Sequence, residues 1–312
     1  MLLKETIEAH ELVDRGDAGG GRVAKYWKKQ SDGVKTEVHT VYGEEGKTDF
    51  VKLNVPGTDG KANNGTSPTL GVIGRLGGVG ARPNEIGSVS DADGAIVAIA
   101  LGIKLSKMLS RGDRLVGDVI ISTHICPNSP TIPHKPVPFM GSPVDMDTMN
   151  DLEIDSDMDG ILSIDTTKGN KIINHKGFAI SPTVKEGYIL RTSVDLLKIM
   201  DIVTGKRPVT FPLSVQDITP YGNSLHHINS IMQPSTATDS PVVGIATTSG
   251  AMVPGVGTGA NYPLPLEETT RYALEVAKKF TGGDCCFYNG DEFTRLINMY
   301  GPMKRFQTPR KE

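Results

Sequence analysis

A chain of 312 residues with a net charge of −3 is long enough for a large core in one or two α/β domains. Its charge gives no reason to expect nucleic acid or an anionic membrane as partner. With 38% hydrophobic and 5% aromatic residues, 36 Gly and 20 Pro, it reads as a loop-rich α/β protein rather than a helical bundle, short of the levels that mark disorder.

In chain order, residues 2–14 predict an amphipathic helix, with Leu3, Ile7 and His10 or Glu11 on successive turns. A Gly-rich break follows, then a second short helix over Arg22–Gln30. Lys35–Tyr42 and Thr48–Val55 suit strands joined at Gly43–Lys47, and residues 56–68 hold only turn chemistry. An apolar core strand at 69–74 precedes a helix at about 92–110 and a strand at 118–123. Residues 127–150, with six prolines, predict an ordered loop across a functional face. Ile161–Ile164, Val209–Leu213 and Val242–Thr247 predict further strands. Tyr188–Met200 is expected to be helical in its second half. Pro265 opens a helix to Phe280, with Glu267 and Glu268 at its positive end and Lys278 and Lys279 at its negative end. Asp291 caps a last helix that Gly301-Pro302 ends. Strands alternating with helices predict a three-layer αβα sandwich with a mixed central sheet, built as one domain over 1–312 with a C-terminal helical extension at 284–312.

Cys126, Cys285 and Cys286 have no C-x-x-C spacing, which predicts free thiols in a reducing cytoplasm. The charged first segment is unlike a signal peptide, and no run approaches the ~20 apolar residues of a membrane span. The expectation is a cytoplasmic protein without a membrane partner.

The chemistry gathers in residues 71–126: GVIGRLGG, then SDADGAIVAIALGIKLSKML, then GDVIISTHIC. This strand–loop–acidic turn–helix–strand unit resembles the core of the zinc amino- and carboxypeptidases, above all the glutamyl aminopeptidase/endoglucanase-M group. The resemblance implies their fold over roughly residues 1–280 and a homo-oligomer. In that group the first strand ends in His-x-Asp, the acidic turn supplies a metal-bridging Asp, and the second strand ends in Glu-Glu. Here Arg75-Leu76-Gly77 and Ile125-Cys126 stand at those two strand ends. Asp91 matches the bridging Asp, Asp165 a later strand-end ligand, and Asn261 falls where the group has its last His. Two-metal hydrolysis by the usual route then lacks its base and several ligands.

His124 and Cys126, two apart on extended backbone, point to one side and are candidate replacement ligands beside Asp91 and Asp165 for one divalent metal ion. A small buried Cys and a hydrogen-bonded His read the same pattern as structural. Arg75 and Arg82, in a Gly-rich loop, suit either an internal Arg–Asp pair or recognition of a ligand carboxylate or phosphate, with Asn261 as a further ligand-binding candidate. Asp155-x-Asp157-x-Asp159-Gly160 begins a calcium-loop pattern but has Thr166 where Glu belongs, so a solvated acidic loop is expected. His226-His227 resembles a ligand pair, although adjacent strand residues diverge. Residues 247–263 match neither a P-loop nor a dinucleotide fingerprint. The expected function is a remodelled, metal-poor site that binds a small peptide- or amino-acid-like ligand. The rivals are a single-metal hydrolase of peptidase or deacylase type and a non-catalytic oligomeric scaffold.

Overall fold

The structure, a computed structural model, describes residues 1–75, 77–135, 138–168, 172–225, 230–253 and 259–308. The chain opens with α1 (Leu3–Val13) and α2 (Gly20–Gln30), then the hairpin β1 (Lys35–Gly43) and β2 (Gly46–Val55). β3 (Leu70–Gly74), α3 (Asp93–Ser110) and β4 (Val119–Ile125) form the central crossover. A small hairpin, β5 (Thr131–Ile132) and β6 (Phe139–Met140), precedes α4 (Met146–Glu153) and β7 (Gly160–Thr166). β8 (Gly177–Lys185), β9 (Tyr188–Ile189), α5 (Val194–Thr204), β10 (Val242–Thr248), α6 (Pro263–Thr281) and α7 (Gly290–Tyr300) complete it.

Eight strands form one mixed sheet in the order β1-β2-β4-β3-β7-β10-β8-β9. Its middle is parallel, β4-β3-β7-β10, and its margins are antiparallel. The parallel strands are short apolar runs because both of their faces are covered. Leu70 and Val72 of β3 belong to a core shared with Ile96 and Ile99 of α3, while Ile73 belongs to a second core with Phe211 and Met232. Alternation with period two sends neighbouring residues to opposite layers. Helix α3 is buried along most of its length, since α1, α2 and α6 pack on it from outside. Trp27 of α2 is fully buried, and its Nε1 donates to the Ile99 carbonyl at 3.1 Å.

Four sequence expectations need correction. Val209–Leu213 is not a sheet strand; Thr210 makes an isolated bridge to Ile180, because Pro208 and Pro212 remove donors. β8 was not expected, since Pro182 interrupts its pattern; the ladder with β10 shifts register between Val243 and Ile245. Residues 127–150 are not all loop, because Asp145 caps α4 by accepting from the Thr148 N–H at 2.7 Å. The last helix starts from Asn289, whose side chain accepts from the Glu292 N–H, rather than from Asp291. Cys285 and Phe287 join the main core, and α7 rests Phe293 against Tyr188 and Tyr288. Among the described residues no helix is long and apolar enough to cross a membrane.

Candidate functional site

Parallel strands share a direction, so the residues that follow β3, β4, β7 and β10 meet at one end of the sheet. Arg75, His124, Cys126, Asp165 and Thr247 all lie there. The mouth of α3 closes on the same point. Its Gly94 leaves no room for a side chain, as a Cβ there would stand 2.3 Å from the Ile164 carbonyl oxygen. This contact sets Asp91 and Asp93 beside the strand ends.

Two buried ion pairs flank the centre. Glu153, at the end of α4 and fully buried, binds Arg75 Nη1 through Oε2 at 2.5 Å and His124 Nδ1 through Oε1 at 2.6 Å. Arg75, also fully buried, donates further to Asn150 Oδ1 at 3.2 Å and to the Met146 sulfur, while its Nε has no partner among the described residues. The Gly77 N–H donates to His124 Nε2 at 3.1 Å, which leaves Nδ1 to donate to Glu153. Burial pushes Glu153 up, and Arg75 and His124 together pull it below the ordinary carboxylate range. In the second pair, Lys168 binds Asp93 and the Ala260 carbonyl. Asp93 also accepts from Thr247 Oγ1 and from Asn261 Nδ2, each at 2.7 Å.

Between them stand two carboxylates without a counter-charge of their own. Burial, then the negative charges of Asp165 and Asp93, raise Asp91 well above the ordinary range. Burial also lifts Asp165 to about 6, although the Ser230 hydroxyl and the Thr166 N–H donate to it. Tyr221 is pushed up to about 12, by burial and by the nearby Asp165 charge. Asp91 is 6% exposed, and among the described residues nothing hydrogen-bonds or ion-pairs with its carboxylate.

Asp91, His124 and Cys126 line a cavity of about 260 Å³ together with Met140, Met146 and Met149. Burial raises the Cys126 thiol, which donates to the Lys47 carbonyl and is no thiolate. Arg82 is committed to the carbonyls of Asp14 and Pro127. A larger cleft, of about 540 Å³, lies where α5 and α7 begin, remote from these strand ends in the chain order. There Ser193 and Asn289 already cap their own helices, and Arg191 pairs with Glu292.

Thus the predicted residues Asp91, His124 and Cys126 share one cavity, with Arg75 and Asp165 tied into the charge network behind it and Asn261 bonded to Asp93. The sequence reading missed Glu153, Lys168 and Asp93 as members. Asp93 was visible in the acidic turn, and Glu153 only through the Asp145 cap that starts its helix. The calcium-like acids are held by lysines: Lys52 binds Asp155 and Lys61 binds Asp159, each at 2.9 Å. His226-His227 lies outside the described residues, as do 254–258 of the second Gly-rich segment.

No curated protein matches the chain. Over residues 39–310 it matches the model of a family described as a protein of unknown function (DUF1177), and the chain belongs to that family.

Proposed function

We propose that this chain binds a small molecule in the cavity at the strand ends, on a frame like that of the zinc aminopeptidases, with internal cations in the electrostatic role of the metal. The observation that carries the reading is the sealing of Arg75 against Glu153 and of Lys168 against Asp93, all four at most 4% exposed. Arg75 stands where the resemblance places the first metal-binding His. A cation there repels a divalent metal ion by about 8 kcal/mol at ~4 Å with an effective dielectric of ~20.

The residues present do not fit a metal. Among the described residues no three of His, Cys, Asp and Glu converge as a ligand set. Both nitrogens of His124 are engaged within the protein. No hydrolytic step through a metal follows from this site. What the site offers is a small apolar chamber with one buried acid facing inward.

Two measurements test the reading. Elemental analysis after purification without chelator is expected to find no metal near stoichiometry. A thermal-shift screen of small amines, amides and carboxylates is expected to find a stabilising compound. Two zinc ions per chain refute the reading and restore hydrolysis. One zinc, lost on His124→Ala or Cys126→Ala, supports a single-metal hydrolase. An empty site with no stabilising compound supports a scaffold.

A further inference from the structure

We propose that the molecule bound in this cavity presents a primary ammonium to Asp91 and carries no carboxylate or phosphate, which makes it an amine or an amino amide rather than a free amino acid. The inference rests on the binding reading above and specifies its chemistry. Three observations on the same chamber support it.

The first is the charge of the wall. Among the described residues lining the cavity, Asp91 is the sole acid and there is no Lys or Arg. The cations buried at the strand ends are engaged within the protein: Arg75 on Glu153 and Lys168 on Asp93, and Arg82 is held by two carbonyls. His124 has both ring nitrogens engaged within the protein. An anionic group entering here would meet no counter-charge, and burying it unpaired is costly.

The second is Asp91 itself. Asp91 is 6% exposed and lines the chamber, and among the described residues nothing hydrogen-bonds or ion-pairs with its carboxylate. A buried polar group is normally satisfied, so an unsatisfied acid in a chamber wall calls for a donor brought by the ligand. A cationic N–H donor gives the stronger, charge-assisted bond. Asp165, lifted by burial at the same strand ends, adds negative potential behind it.

The third is the rest of the wall. Met140, Met146 and Met149 with Pro143 and Val144 offer apolar, adaptable surface for a hydrocarbon substituent. At ~30 Å³ for a water-sized group, about 260 Å³ holds roughly nine such groups. Leucinamide has this size, an ammonium and no carboxylate.

Calorimetry on the full chain with three probes tests the inference: leucinamide, leucine, and 4-methylpentanamide, which lacks the amine. Leucinamide is expected to bind at least about tenfold more tightly than either of the others, since a site built for a charged donor rejects the analogue that lacks it. Asp91→Asn is expected to weaken leucinamide at least about tenfold and to leave 4-methylpentanamide unchanged. Leucine or 4-methylpentanamide binding as well as leucinamide overturns the ammonium inference and leaves small-molecule binding intact. Unchanged leucinamide affinity in Asp91→Asn overturns it as well. No binding by any of the three overturns it too, and the broader thermal-shift screen then decides separately whether the cavity binds anything. The comparison of probes is read on the unaltered protein, so it holds whatever Asp91→Asn does to folding.

Discussion

Glu153→Gln is the most informative perturbation, because one fully buried carboxylate holds two partners. Glu153 Oε1 accepts from His124 at 2.6 Å and Oε2 from Arg75 at 2.5 Å, with all three side chains at most 4% exposed. A glutamine oxygen keeps the His124 bond. Its amide N–H then faces the Arg75 guanidinium, donor against donor, and Arg75 is left as a buried charge with Asn150 and Met146 as neutral partners. Removing one partner of a buried pair costs about 3–5 kcal/mol, mostly because of the charge left behind. At ~2–4 °C per kcal/mol for a large domain, Tm should fall by roughly 6–20 °C. Arg75→Met combined with Glu153→Gln should cost less than the sum of the two single changes, with a coupling of about 2 kcal/mol or more. The sign with pH follows from the lowered Glu153. Its contribution is fully present above the ordinary value of 4.5 and is lost as pH falls through the lower folded value. The gap between wild type and variant should therefore persist through neutral pH and close only in acid. Denaturant titrations across pH measure it. A Glu153→Gln protein within about 1 kcal/mol of wild type at neutral pH, or strictly additive changes, would refute the buried-pair account.

Asp165 has the opposite sign: its folded value, raised from 3.8 to about 6, makes its stability contribution complete below the unfolded value and lost as pH rises through about 6. Asp165→Asn should therefore gain stability over wild type at about pH 8, by at most about 3 kcal/mol, and lose that gain at about pH 3; a gap equal at both ends sinks the idea. Gly102→Ala would place a Cβ 2.5 Å from Trp27 Nε1 and 2.9 Å from Leu53. It should cost about 1–3 kcal/mol and shift the emission of the single tryptophan, whereas an unchanged spectrum and Tm contradict the packing. Calcium at millimolar concentration should leave Tm unmoved, because Lys52 and Lys61 already neutralise Asp155 and Asp159; a clear rise contradicts this. A thiol reagent should label Cys286 rapidly and Cys126 and Cys285 only after unfolding, since only Cys286 is exposed; fast labelling of two or three thiols opposes it.

The core strands and α3 were legible because burial on both faces leaves a signal in composition: unbroken apolar runs closed by Gly or polar turns. Proline hides such signals, and it did so twice. Pro182 concealed β8, a strand whose ladder tolerates a register shift, and Pro208 and Pro212 turned an apparent strand into one bridge. The site was legible as a place, since chain direction alone sends Arg75, His124 and Asp165 to one end of a parallel sheet. Its chemistry was not legible, for a reason of scale. Hydrophobic periodicity reports transfer free energies shared by many residues, whereas a buried ion pair depends on which two side chains meet. Nothing in KGN marks Lys168 as a sealed cation, and nothing in DLEID marks Glu153 as the acid that neutralises Arg75. What the sequence could state was that Arg75 follows a core strand into the candidate site. Its guanidinium is fixed by Glu153 within the protein. Arg75 is thereby part of the buried frame, and among the described residues nothing hydrogen-bonds or ion-pairs with the Asp91 carboxylate.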